Sequence, residues 1–362
     1  MPKALRLIVK LVSVFIALGI IACAVVLGGT LYFNAPPNSP PAPGLATGEN
    51  PGHEAMRLDE SGALILEVRG GESAQSVGRR LASAGIIRHE YFWNLLARLS
   101  SEHIRAGTYR IELPASQTHI RSVLTAGEQI LVRVTIPEGL TLRRTAELLE
   151  EAGITRAQDF IAVASSREML DAFNIPGQTM EGYLFPDTYL FPLSYPAHRV
   201  VSAMANNFFS RLAQIVPESA SMTPAEINER VIMASIVERE FRVREEAALM
   251  AGVFFHRLRI GMMLQSCATV VYVITEQLGR PHPERLFYRD LEIPSPFNTY
   301  RHRGLPPAPI ASPGETALLA AFYPVHTDYL FFRLIDPADG RHFFSRTLAE
   351  HHRAGALFVN RR

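Results

Sequence analysis

The sequence predicts an α+β chain in three parts: a single N-terminal transmembrane helix, a small α+β module, and a C-terminal mixed α/β domain. Three observations carry that reading. An uncharged run from Leu11 to Phe33 follows three basic residues. Two strand–helix units of one layout succeed it between residues 61 and 175. Past residue 175 an apolar helix ends on two carboxylates, and long Pro-rich stretches replace the regular alternation.

Residues 1–10 form a basic tail with Lys3, Arg6 and Lys10. The run 11–33 is long enough to cross a bilayer as a helix. A cleavable signal has an apolar region of only about 7–15 residues, so a retained, single-pass anchor is expected. The basic flank should stay in the cytoplasm, which puts the rest of the chain outside the inner membrane, on the periplasmic side. Cys23 would lie in lipid and Cys267 outside, so the two cannot pair, and their separation fits no zinc or redox motif. Residues 34–60 read as a Pro-rich linker. Its run Ala35-Pro-Pro-Asn-Ser-Pro-Pro-Ala-Pro-Gly44 has the composition of an extended spacer that would lift the folded part off the membrane.

Composition narrows the function. With 362 residues, 48% of them hydrophobic, the chain can build two domains with cores. Lys and Arg number 36 and Asp and Glu 35, a balance without the basic excess of a nucleic-acid binder. The 12 histidines are scattered; only His351 and His352 adjoin, and none form an i, i+4 pair, so neither a metal nor a cofactor is expected.

The two units repeat weakly. Leu66-Glu-Val-Arg-Gly-Gly71 and Val134-Thr-Ile-Pro-Glu-Gly139 each read as a strand ending in a glycine turn. A helix follows each and closes on Ala-Gly-Ile, at Ala84–Ile86 and Ala152–Ile154, where glycine suits a left-handed cap. Leu81 matches Leu149 and Phe92 matches Phe160, and second helices are expected over Tyr91–Leu99 and Ala157–Ala164. Between the copies Gly107–Leu113 alternates as a strand, with the opening strand of each copy as its expected partner. The first copy, residues 61–128, resembles a LysM-like glycan-binding module in size and order; a purely structural α+β scaffold fits the same pattern. The second, residues 129–175, would connect to the C-terminal domain over 176–362, the part for which the resemblance given below implies catalysis.

That last domain is organised around Val231-Ile-Met-Ala-Ser-Ile-Val-Glu-Arg-Glu240. Thr223 is placed as its N-cap, with Pro224 at the first helical position and Glu226 completing a capping box. Val231–Val237 is apolar except for Ser235, as in a buried helix. Continuing the period puts Glu240 on the face of Met233, Ile236 and Val237. A carboxylate there is either neutralised by an arginine or kept protonated by a raised pKa. Glu181–Tyr189 reads as an aromatic, Pro-broken loop rather than a core strand. Glu245–Ile260 forms a further helix stopped by Gly261, and Tyr329–Ile335 with His342–Ser345 reads as a hairpin turning through Asp339-Gly340. No Gly-x-Ser-x-Gly elbow is present, and Ser235 has no evident base, which argues against a serine hydrolase.

Taken in order, Glu181-Gly-x-x-x-Pro-Asp-Thr188, Ala234-Ser-Ile-Val-Glu-x-Glu240, Leu264-Gln-Ser266, Asn298-Thr-Tyr300, Gly304-Leu-Pro-Pro307 and Ser312-Pro-Gly314 resemble the MltG/YceG-like family of endolytic murein transglycosylases. The terminal His342-x-Phe-Ser and Glu350-His351 agree as well. Cys267-Ala268 departs from a commoner Asp-Pro, and Ala308 from a commoner Gly. The resemblance implies a lyase that cuts within nascent peptidoglycan strands at the MurNAc–GlcNAc bond, leaves 1,6-anhydroMurNAc ends, and uses one glutamate as acid and base. That glutamate maps to Glu240. Gln265, Ser266, Asn298 and Tyr300 become candidates for holding sugar hydroxyls and acetamido groups, and Tyr183 a candidate stacking ring. Glu238 stays among the candidate substrate contacts, although its place on another helix face suits a structural role paired with Arg242 or Arg244. Peptidoglycan synthases are the partners the family suggests. The rival reading is a non-catalytic glycan-binding scaffold of a cell-wall assembly.

Overall fold

The computed structural model describes residues 3–42, 45, 55–335 and 338–359. Most of the later half of the Pro-rich stretch, the first two residues of the basic tail and the Asp336-Pro337 step in the hairpin connection lie outside the described residues. The chain divides into two compact units, Met1–Leu131 with Pro192–Ser194, and Val132–Phe191 with Tyr195–Arg362.

The first unit opens with helix α1 (Lys3–Asn34). Its part Lys10–Asn34 is long and apolar enough to cross a membrane. Strands β1 (Met56–Leu58) and β2 (Leu64–Val68) follow, then helices α2 (Ala74–Ser83) and α3 (Glu90–Leu99), strand β3 (Gly107–Ile111) and helix α4 (Gln117–Ala126). The strands form one antiparallel sheet in the order β1-β2-β3, with Met56 opposite Leu66 and Leu64 opposite Ile111. Ser73 and Ser116 cap α2 and α4 through their hydroxyls, as short polar residues do at helix starts. Leu66, Leu81, Tyr109, Ile120 and Leu124 form the core with Trp93, whose indole N–H donates to the Ala74 carbonyl at 2.6 Å. Gly78 is required there, because a Cβ would lie 2.3 Å from the Trp93 ring. The start of the Pro-rich stretch is no free spacer. Arg88 donates to the carbonyls of Ala35 and Pro36 and to Asn38, and the Ala42 N–H donates to Ala84, so residues 35–42 lie along the unit.

In the second unit β4 (Leu131–Thr135) leads to helices α5 (Leu142–Glu151), α6 (Ala157–Ala164) and α7 (Arg167–Ala172), strand β5 (Thr188–Pro192) and the long helix α8 (Ala197–Ile215). The Ala-Gly-Ile steps behave as expected: Gly85 and Gly153 take φ values of 69° and 70°. The pairing of the central strand differs from expectation. β3 pairs with β2 of the first copy, but β4 of the second pairs with β5, from the end of the Glu181–Tyr189 segment. The hydroxyls of Thr135 and Thr188 face each other across β4 and β5 at 2.9 Å.

Helix α9 (Pro224–Glu238) runs through the core of this unit. It carries the capping box in full, with the Thr223 N–H donating to Glu226 at 2.7 Å and the Glu226 N–H returning to the Thr223 hydroxyl at 3.3 Å. Val231 to Val237 are all buried. Around it pack α10 (Arg244–Arg259) and, after the short helices α11 (Cys267–Tyr272) and α12 (Tyr288–Leu291), α13 (Glu315–Phe322). The hairpin β6 (Phe331–Leu334) and β7 (His342–Ser345) pairs Phe331 with Ser345, and α14 (Leu348–Val359) ends the unit. Ser235, the one polar residue in the apolar run, is satisfied: its hydroxyl donates to the Ile232 carbonyl at 2.7 Å and accepts from the Ile310 N–H at 3.0 Å.

Candidate active site

Helix α9 stops earlier than the sequence period implies. Arg239 is its C-cap, and the N–H groups of Glu240 and Phe241 both return to the Val237 carbonyl at 3.0 Å in a closing turn. Glu240 is therefore not a further position on the helix face with Met233 and Val237. The turn still aims its carboxyl inward, where the Ser266 hydroxyl donates to Oε1. Loss of water around the carboxyl raises its pKa; the Ser266 hydroxyl and the Ala268 N–H oppose that shift, as do the charges of His342 and Arg257. Glu240 itself remains half-buried.

The groups around Glu240 come from four separate stretches, at Arg257, Gln265–Thr269, Asn298–Tyr300 and His342. Ser266 is buried and locked: its N–H donates to the Thr299 hydroxyl at 3.0 Å, and its carbonyl accepts from the Thr269 hydroxyl at 2.7 Å. Thr269 and Thr299 face each other at 2.9 Å, so the loop before α11 and the Asn298–Tyr300 turn are held as one piece. Gln265, exposed and at φ 51°, turns the chain just ahead of Ser266, with its N–H on the Thr299 carbonyl at 3.1 Å. Tyr300 stands at the edge, its hydroxyl 3.1 Å from the Cys267 thiol. Burial raises the pKa of both groups.

Two residues near Glu240 were not among the site candidates read from sequence, although His342 stood in a quoted motif. Arg257 on α10 is buried, donates to the carbonyls of Leu330 (2.6 Å) and Leu264 (2.5 Å), and supplies positive charge near Glu240. An arginine among Phe254, Phe255 and Leu258 was the available signal. His342 on β7 is clamped by Glu246, whose Oε2 lies 2.8 Å from Nδ1 and whose carboxylate also accepts the His342 N–H at 3.1 Å.

Three expectations are corrected. Tyr183 is no stacking ring for a ligand: it is 2% exposed, packs edge-on against Phe208, and donates its hydroxyl to Asn228 at 2.8 Å. Asn298 is fully buried and spends its amide on the carbonyls of Leu291 and Ile293, while its oxygen accepts the Tyr300 N–H. It shapes the loop instead of meeting a sugar. Glu238 pairs with neither Arg242 nor Arg244; its carboxylate accepts the Gly314 N–H at 2.9 Å. Desolvation pushes Glu238 up to about 7, the Gly314 bond opposes this, and the nearby Glu138 adds to it. Among the described residues no three His, Cys, Asp or Glu side chains gather as a metal site would require.

A model of the YceG-like family matches residues 66–356, a span that includes every residue just described around Glu240. The chain belongs to the YceG-like family. This YceG-like chain is 27% identical over 326 residues to the endolytic murein transglycosylase of Bacillus subtilis (strain 168), an alignment covering 85% of the chain and 88% of that relative. It is 29% identical over 324 residues to the endolytic murein transglycosylase of Streptococcus pneumoniae serotype 2, covering 80% of the chain and 57% of that longer protein. The crystal structure of a yceG-like protein from Listeria monocytogenes superposes with a TM-score of 0.55 at 27% identity, covering 80% of this chain and 98% of the other.

Proposed function

We propose that this YceG-like protein is a membrane-anchored endolytic murein transglycosylase, with Glu240 as its single general acid and base. The observation that carries the reading is the Glu240 carboxyl itself, desolvated on a half-buried residue and held on one oxygen by a locked serine. A carboxyl whose pKa is raised by loss of water holds its proton more tightly than a free one and can deliver it to the glycosidic oxygen of a MurNAc–GlcNAc linkage. The C1–O bond then breaks and positive charge develops on the muramoyl ring. The Glu240 carboxylate next takes the proton of that sugar's 6-hydroxyl while O6 bonds to C1, which closes a 1,6-anhydro ring and returns the acid to its starting form. Attack by a tethered hydroxyl needs no second carboxylate to activate water. Gln265, exposed, and Tyr300, half-buried beside Cys267, are the proposed sugar contacts; Ser266 acts through Glu240. The apolar α1 anchors the chain in the inner membrane with the catalytic unit in the periplasm, and LysM-like glycan binding by the first unit, with synthases as partners, belongs to the same proposal.

Glu240→Gln should abolish cleavage of purified glycan strands, a loss of about 10²–10⁴-fold, while the unfolding temperature stays within a few degrees of the parent. Wild-type digestion in ¹⁸O water, read by mass spectrometry, should yield anhydro ends without ¹⁸O and a spread of chain lengths. Reducing ends carrying ¹⁸O would make the protein a hydrolase. No cleavage by the wild type would leave the glycan-binding scaffold.

A further inference from the structure

Helix α3 leaves an apolar stripe uncovered. Tyr91, Leu95 and Leu99 recur every fourth residue and are 76%, 47% and 77% exposed, while Trp93 on the opposite face is fully buried. Singly exposed apolar side chains are ordinary; three in register on one helix face are not. The stripe also continues an apolar surface already assigned to lipid. Tyr91 and Leu95 line one groove with Val25, Gly29 and Phe33 of α1, so α3 lies alongside the outward end of the span. Val25 is eight residues before Phe33, which at about 1.5 Å per residue sets it roughly 12 Å inside the helix exit. A side chain beside Val25 is therefore level with hydrocarbon, not with bulk water.

The flanking residues suit a headgroup layer. The Arg88 guanidinium lies over the Tyr32 ring at 4.5 Å, His89 stacks on Tyr91 at 4.4 Å, and Arg98 is exposed on α3 itself. Aromatic rings and long cations with apolar stems collect at that depth of a bilayer. A second copy of the chain is a poorer occupant, since three side chains fall well short of the ~800 Å² per partner that a stable dimer buries.

We propose that the Tyr91–Leu95–Leu99 face of α3 is a lipid-docking surface, seated in the outer leaflet of the bilayer that α1 crosses. The first unit then meets the membrane at two places, by a spanning helix and by an interfacial one lying beside it. This rests on reading α1 as the anchor, and the test separates the two. The full chain carrying Leu95→Trp, and separately Leu99→Trp, is reconstituted in phosphatidylglycerol/phosphatidylcholine vesicles with brominated acyl chains. The wild type, whose sole tryptophan is the buried Trp93, supplies the baseline. The added emission should be largely lost to brominated lipid and little affected by aqueous acrylamide. Quenching by acrylamide without loss to bromines would overturn the proposal, because the stripe would face water. Protection from both quenchers would overturn it too, because protein would cover the stripe. A chain that does not float with the vesicles overturns the anchor and the docking surface together, whereas a floating chain with a water-exposed stripe overturns the docking surface alone.

Discussion

Removing the Ser266 hydroxyl should change the pH at which the enzyme works more than its ability to bind glycan. That hydroxyl favours the ionised form of Glu240, so in Ser266→Ala the acid keeps its proton to higher pH. The alkaline limb of the pH–rate profile should move upward, and Ser266→Thr should move it back. An unshifted profile with a raised KM would instead make Ser266 a substrate contact. Glu181 offers a test of stability. Both its oxygens lie near the Leu142 N–H, at 2.9 and 3.0 Å, and burial pushes its pKa up to about 8 against that bond. A raised folded pKa means the folded state holds the proton more tightly. Its contribution is thus full below the unfolded value of about 4.5 and is lost as pH rises through about 8. Glu181→Gln, neutral throughout, should melt at a higher temperature than the parent at about pH 9 and close to it near pH 4; equal melting at both would refute the assignment.

Helix α9 shows what neighbouring residues reveal and what they conceal. Its start was legible because a capping box is written within four residues, Thr223 to Glu226. Its end was not. Arg239 closes the helix, and the chain carries Glu240 inward through a turn that no periodicity announces. The partner of Ser235 was equally hidden, since Ile310 lies 75 residues away. Ser235→Ala would strand the buried Ile310 N–H, at a cost of about 1–3 kcal/mol, measurable as a lower urea midpoint for the full chain. No change in midpoint would mean that the Pro-rich loop relaxes to satisfy itself. Tyr183 and Asn298 were misread for a related reason. An aromatic or amide residue in a Pro-rich stretch has the same local signature whether it meets a ligand or, as here, its own core and loop carbonyls. Strand pairing follows the same rule: β2 and β3 lie within one repeat, whereas β4 finds β5 more than fifty residues on.

On the proposed topology, a protease added to spheroplasts should leave only a short fragment containing α1, since everything beyond Phe33 is expected outside. An intact, protected ectodomain would reverse the proposed orientation. The way α1 meets the first unit carries one more consequence. The Asn34 side chain exchanges two hydrogen bonds with Thr118, Gln117 donates to the Phe33 carbonyl at 2.8 Å, and Arg88 covers Tyr32. The span is thus keyed to the unit like an axle to a wheel. With α1 as the proposed anchor, any roll of it about its long axis would turn the unit through the same angle, and the two would diffuse in the plane of the bilayer as a single rotor. An unrelated apolar helix spliced in ahead of Asn34 would keep the chain in the membrane yet free that wheel to spin.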